Sequence, residues 1–284
     1  WNVDPEIFHI GGLSIRYYSI LFVSGFIIGW YIFRHFFKNE GIQVSPLLDY
    51  LLYTLLIATI VGARLGHCLF YQPDYYFGSW AGFAEIFMPW KGGLASHGGA
   101  IALIIAMIWF AHKFGRKNDF DFVWIMDRLA ITVCFAGALI RLGNLFNSEI
   151  FGGPTDLPWG FRFPRSYEWV QLYGPSAEHP EGLACHPTQL YEALCYLILG
   201  IVLVLVYEKK LDKVHRGFFI GWFLIGCFGS RFLIEFIKNP QVEFEKNMLL
   251  DMGQWLSIPF ILLGVGFLVY EAVRKLPARA VHPE

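Results

Sequence analysis

Charge is what this chain has least of. Only 16% of its 284 residues are Asp, Glu, Lys or Arg, against about 25% in an ordinary soluble domain. The 22 basic and 23 acidic residues nearly cancel, so no basic field is present for a nucleic acid to meet. No Gly-rich phosphate loop, HExxH helix motif or GxSxG elbow occurs, which removes the commonest NTPase, zinc-protease and hydrolase readings. Cysteines are few and odd in number: Cys68, Cys134, Cys185, Cys195 and Cys227. Their spacing fits neither a disulfide framework nor a zinc pattern. Four lie in apolar runs and read as small buried hydrophobes; Cys185, beside His186 in a long loop, lacks a partner at metal-ligand spacing. No cleavable leader pattern is expected, because the first apolar run is long enough to stay as an anchor.

What the chain has instead is apolar length. Its residues are 56% hydrophobic, with 28 Phe and 10 Trp, and its mean hydropathy is positive. A helix needs about 20 apolar residues to cross a bilayer. Seven such helices are predicted, over 17–36, 47–71, 92–112, 123–145, 188–208, 216–238 and 253–274. The fold class is an all-α integral membrane protein, one transmembrane domain over 1–284 with an insertion at 146–187. Gly25/Gly29, Gly62/Gly66 and Gly217/Gly221 are small-xxx-small pairs that favour close helix packing.

Basic residues in the connections set the orientation. Arg34, Lys38, Lys113, Arg116, Lys117, Lys209, Lys210, Lys213, Arg216, Arg274, Lys275 and Arg279 fall on one side. Arg16, Lys91, Arg162, Arg165, Lys238 and Lys246 fall on the other. The richer side is read as cytoplasmic, so the N-terminus faces out and the C-terminus in. The 146–187 loop is far longer than a usual connection. It carries Trp159, Phe161, Phe163, Tyr167, Trp169 and Tyr173 and reads as a small outer head. The aromatic 72–90 segment reads as an outer arm on the membrane surface.

Ionisable groups at membrane depth are costly and usually functional. With this orientation they gather at one level. Arg64 and His67 lie in the outer half of the second span, Arg141 and Asn144 near the outer end of the fourth, Arg231 and Glu235 in the outer half of the sixth. Ser96-His97-Gly98-Gly99 opens the third span, His186-Pro187-Thr188-Gln189-Leu190-Tyr191-Glu192 the fifth, and Tyr17-Tyr18 the first. Arg64, Arg141 and Arg231 against Glu149 and Glu235 leave a cationic surplus. The helix N-termini add to it, so the expected chamber suits a phosphate gripped by arginine forks. Arg141, Asn144 and Ser148 share one helix face; Arg64, His67 and Tyr71 share another; Arg231 and Glu235 stand at pairing distance.

Plainer readings stand beside these. Arg231–Glu235 has a plainer reading as a structural ion pair, which is compatible with a functional role, and Arg64 one as a snorkelling surface cation. His67 reads as a core histidine, Tyr17/Tyr18 as an interface belt and Asp127–Arg128 as an inner structural pair. A transporter or channel, and a non-catalytic lipid-binding scaffold, are the competing classes.

The stretch Arg141-Leu-Gly143-Asn144-Leu-Phe-Asn147-Ser-Glu149-Ile-Phe-Gly152 resembles the signature of prolipoprotein diacylglyceryl transferases. Ser96–Gly99, His186–Glu192, Arg231–Phe236, Gly62–Gly66 and Tyr18 are similar to further blocks of that family, in order along nearly the whole chain. Leu145 departs from the aromatic that many members carry, and Cys227 from their tyrosine. The resemblance implies transfer of the diacylglyceryl group of phosphatidylglycerol to the lipobox cysteine of a preprolipoprotein, at the outer leaflet of a bacterial inner membrane. It implies no cofactor, no metal and no nucleic-acid partner; the partners are phosphatidylglycerol, the lipobox signal peptide and membrane lipid. On that resemblance Arg141 and Arg231 bind the phosphate, and His97 is a candidate base for the thiol. Tyr18, Asn144, Asn147, Glu149 and Gly152 shape the headgroup site. His186 and Gln189 hold the entrance of the fifth span, with Arg64 and Glu235 as electrostatic partners.

Overall fold

A computed structural model describes residues 1–11, 13–238 and 249–279. Among the described residues, seven helices are long and apolar enough to cross a membrane, and the chain is an all-α membrane protein. They are α1 (Tyr17–Asn39), α2 (Leu47–Phe70), α5 (Ser96–Asn118), α6 (Phe122–Phe146), α8 (Thr188–Lys210), α9 (Phe218–Glu235) and α10 (Met252–Arg274). Among the described residues, three short α-helices lie between them, α3 (Pro73–Phe77), α4 (Trp80–Ile86) and α7 (Tyr167–Tyr173), with 3-10 turns at Pro89–Lys91 and Leu211–Lys213. A two-stranded antiparallel hairpin, β1 (Glu6–Ile10) and β2 (Leu13–Arg16), precedes α1. Its strands of five and four residues give too short an alternation to stand out in the sequence.

All seven spans occur where hydropathy puts them, and the ends differ for local reasons. The third was expected from residue 92 but begins at Ser96, because Gly92 and Gly93 hold φ of 89° and 73°, a backbone that α-helix does not use. It runs on to Asn118, where Asp119 takes the left-handed conformation (φ 56°). The sixth ends at Glu235 rather than Lys238, which frees Lys238 to turn back on the helix.

The backbone forms two compact units. The first comprises residues 1–32 and 127–278, with the hairpin, most of α1 and α6, the 146–187 head and α8–α10. Its helices meet through small residues. A Cβ on Gly25 would lie 3.2 Å from Ala136 Cβ, and one on Gly221 3.1 Å from the Gly264 carbonyl. Asp127 accepts from the backbone N–H groups of Gly217 (2.8 Å) and Ile220 (2.9 Å), so a fully buried carboxylate satisfies the free N–H groups at the start of α9. The head has its own core of Leu145, Phe151, Phe163, Trp169 and Cys185, with Trp1 packed on it. Burial pushes the Cys185 thiol up to about 11.

The second unit comprises residues 33–126 with Arg279. Gly62 and Gly66 of α2 meet Gly98 of α5 backbone to backbone. A Cβ on Gly66 would come within 2.6 Å of Gly98 Cα, so no larger residue fits without spreading the helices. Trp124 Nε1 donates to the buried Glu40 carboxylate (2.8 Å).

Candidate functional site

In the first unit, the site begins at the end of α6. Gly143 lets Tyr18 of α1 lie on the helix backbone: a Cβ there would sit 2.7 Å from Tyr18 Cδ2. The Tyr18 phenol is within electrostatic reach of both Arg141 and Glu149. After Phe146 the chain turns sharply, with Ser148 and Ile150 at φ of 54° and 61°. For a β-branched residue that is a strained backbone, kept only where the surroundings over-determine it. Two side chains from the start of α8 do so. Thr188 Oγ1 donates to the Ile150 carbonyl (2.8 Å) and Gln189 Nε2 to the Glu149 carbonyl (2.6 Å). The turn then presents the Glu149 carboxylate to Asn144 Nδ2 (2.8 Å) and Asn147 Nδ2 (3.1 Å).

Gly152 is where three chain segments converge. Its N–H donates to the His186 carbonyl (2.8 Å), and the next N–H, of Gly153, donates to the Ile237 carbonyl (2.8 Å). A Cβ at 152 would collide with the Ile237 carbonyl, Thr188 and His186. The His186 ring is set by Tyr191, its Nδ1 standing 3.3 Å from the hydroxyl, and Trp159 of the head donates to that same hydroxyl (2.9 Å).

Behind this frame runs a chain of buried charges. Arg141 Nε is ion-paired with Glu192 Oε2. Lys238 Nζ donates to Glu192 Oε1 (2.8 Å) and to Glu235 Oε2 (3.1 Å). The Glu192 side chain is fully buried and that of Lys238 is 4% exposed, so solvent screens these pairs little. Arg141 also reaches Asn144 Oδ1 at 3.4 Å. Tyr196, one turn beyond Glu192, interacts with Arg141 and Cys227. Cys227 in turn lies within electrostatic reach of Arg141, Glu192 and Arg231. The hydroxyl of Tyr196 therefore stands beside the position where the family resemblance expects a tyrosine.

Arg231 differs from what its spacing suggests. Glu235 is taken by Lys238, and Arg231 has no carboxylate partner among the described residues; its Nε is buried without a hydrogen bond. Asn147 Oδ1 and Gln189 Oε1 are likewise buried and unpartnered. Buried polar groups are nearly always bonded, so these unspent atoms point to a polar ligand.

The second unit holds Arg64 and His97. The buried Arg64 guanidinium is spent on carbonyls: Nε donates to Ile86 (3.1 Å) and Nη1 to Gly93 (3.2 Å), while Gly92 and Glu85 accept from Nη1 and Nη2. It ties the 85–93 segment to α2, does not snorkel, and makes no direct ion pair among the described residues. His97 is exposed in the first turn of α5, its ring 5.4 Å from Phe70 and 5.7 Å from Tyr71. His67 stacks on Tyr71 at 5.6 Å.

The expected cationic surplus thus takes a different form. Arg64 keeps its charge in the second unit, bonded to neutral carbonyls. Arg141, Arg231 and Lys238 stand with Glu149, Glu192 and Glu235 in the first unit, three against three. Among the cations of this group, Arg231 keeps a buried N–H that is unspent. Glu192 and Lys238 were the residues missed. Glu192 shares a helix face with Gln189 and Tyr196 (i, i+3, i+7), the same spacing that singled out Arg141 and Asn144. Lys238 carried no signal beyond its sign.

The family model for prolipoprotein diacylglyceryl transferase matches residues 5–270 of this sequence. The chain belongs to that family. A phosphatidylglycerol–prolipoprotein diacylglyceryl transferase of Porphyromonas gingivalis is 45% identical over 281 residues, covering 97% of this chain and 95% of its own length. Proteins of the same name from Bacteroides fragilis (39% over 290 residues) and Chloroherpeton thalassium (38% over 275 residues) each cover 97% of this chain, and 96% and 94% of their own lengths. The chain is therefore a multi-pass membrane transferase.

Proposed function

We propose that this chain transfers the diacylglyceryl group of phosphatidylglycerol to the lipobox cysteine of a preprolipoprotein. The thiol sulfur attacks the glyceryl carbon that bears the phosphate. A C–S bond forms and the C–O bond breaks. Glycerol 1-phosphate leaves with the electron pair, and the thiol proton passes to a base, for which His97 is the candidate. The observation that carries this reading is the Arg231 guanidinium, partly buried, with Nε unbonded and no carboxylate partner among the described residues. A phosphate diester is the kind of group such a fork grips.

Negative charge grows on the departing phosphate ester. Preorganised cations stabilise it without having to move at the moment of reaction. Arg141 shares this work through its Nη groups while Glu192 holds its Nε. Glu192, Lys238 and Glu235 act as positioning residues: they keep the arginine fixed and the local charge balanced. Tyr18, Asn144, Asn147, Glu149 and Gly152 frame the headgroup, with His186 and Gln189 bracing the entrance to α8. Arg64 acts through the segment it anchors. The distribution of Lys and Arg among the connections supports a cytoplasmic membrane location with the N-terminus outside and the reactive level at the outer leaflet.

The test is incubation of purified protein with phosphatidylglycerol and a lipobox peptide. Peptide mass gain by one diacylglyceryl group with release of glycerol phosphate is the expected result. Solute flux in liposomes without mass gain would instead make the chain a transporter, and binding without either would make it a scaffold.

A further inference from the structure

A groove of about 890 Å³ runs along α2 and α5 of the second unit, outside every residue assigned to transfer. Its floor is made of small residues, Ala58 and Gly62 from α2, Ala102 and Ala106 from α5. Its lining extends from Tyr50 to Leu65 on α2, about 22 Å at 1.5 Å per residue. Half the hydrocarbon core of a bilayer is about 15 Å, so the groove has the length of one lipid acyl chain with room for the start of its headgroup. A flat helix pair would not provide such a slot; the run of residues no larger than alanine opens it.

One end of the groove is chemically different. Tyr50, Tyr53 and Trp109 surround it there, together with Lys113, the one charged side chain that lines it. The Lys113 ammonium sits 4.7 Å from the Trp109 ring centroid and 5.4 Å from that of Phe114, and Phe114 stacks on Tyr50 at 5.7 Å. Aromatic faces hold a cation in place without neutralising it. Lys113 has no carboxylate partner among the described residues; Asp49, in the first turn of α2, makes no ion pair with it. Arg116 and Lys117, in the last turn of α5, add positive charge at the same end. A ring of Tyr and Trp around a free lysine is the composition of a membrane–water interface.

We propose that this groove is a binding site for an anionic bilayer phospholipid, one acyl chain lying in the slot and the phosphate on Lys113. The lipid serves as a fixed neighbour of α2 and α5 and takes no part in the transfer reaction. The phosphate of a zwitterionic lipid reaches the same lysine but brings its own ammonium with it, so the net negative headgroup is preferred.

Photo-crosslinking tests this. The full chain is placed in phosphatidylcholine nanodiscs with a minor fraction of phosphatidylserine or phosphatidylcholine bearing a diazirine in one acyl chain. Labelled peptides are then mapped by mass spectrometry. The serine lipid should label the 50–65 and 102–114 segments about fivefold more than the choline lipid, the preference one interfacial lysine confers. Lys113→Gln, a change at an exposed side chain, should bring the two probes to parity. Ala106→Phe, which fills the slot, should remove labelling by both. Equal labelling of the wild type, a preference that survives Lys113→Gln, or crosslinks to a second copy of the chain across this face would overturn the proposal.

Discussion

Replacing Glu192 with Gln tests whether the buried charges work as one unit. The carboxylate is fully buried and meets two cations, Arg141 Nε and Lys238 Nζ. Glutamine keeps the shape and removes the charge, leaving Arg141 without its partner and Lys238 with Glu235 alone. Removing one member of a buried pair costs about 3–5 kcal/mol, because the other charge stays desolvated. Lys238→Met leaves two carboxylates, Glu192 and Glu235, with a single cation among them, and the same range applies. The double variant removes an opposite pair together, so its cost should fall short of the sum by about 0.5–3 kcal/mol, the usual coupling of residues in one network. The assay is denaturant unfolding of the purified protein followed by a tryptophan signal, with initial transfer rates measured in parallel. Single variants that add to within about 0.5 kcal/mol would refute the network and reduce it to independent contacts.

His97→Asn should lower the rate of the thiol-attack step; a wild-type rate in the variant would leave His97 without a proton-accepting role. Arg64→Met strips four backbone carbonyls of their donor, so amide exchange over residues 85–93 should accelerate by at least about tenfold, one charge-assisted bond being worth about 1.5–3 kcal/mol; unchanged exchange would show that the segment is held elsewhere. Burial raises Cys185 from 9.0 to about 11. A thiol raised on folding favours the folded state below its unfolded value, and that contribution is lost as pH climbs from about 9 to 11. The head should therefore resist iodoacetamide at pH 8 and lose stability across that window; rapid alkylation of Cys185 in the folded protein at pH 8 would contradict this.

Seven spans were legible because a bilayer demands about 20 apolar residues in a row, a constraint hydropathy reads directly. The glycine pairs also translated into contacts, Gly62 and Gly66 against Gly98 above all. Individual partners were harder to read. Arg64 shares a helix face with His67 and Tyr71, and spacing places all three correctly. Spacing does not say that four carbonyls from a segment some 20 to 30 residues away will consume the guanidinium. Arg231 and Glu235 stand one turn apart, yet helix α9 ends at Glu235 and Lys238 folds back to take the carboxylate. Helix termination of that kind depends on tertiary packing. Glu192 was readable from its i, i+3, i+7 relation to Gln189 and Tyr196. Its two cations, Arg141 on α6 and Lys238 beyond α9, are brought to it by tertiary packing, which spacing does not read.

The central claim is that Arg231 holds the phosphate that leaves. The most direct measurement compares wild type with Arg231→Lys in the lipobox-peptide assay, quantifying peptide mass gain and glycerol phosphate together, with helical content checked by circular dichroism. Lysine keeps the charge and loses the fork. A lost charge-assisted hydrogen bond of about 1.5–3 kcal/mol predicts a rate lower by about 10- to 100-fold in a folded protein. Wild-type turnover by the lysine variant would contradict the account.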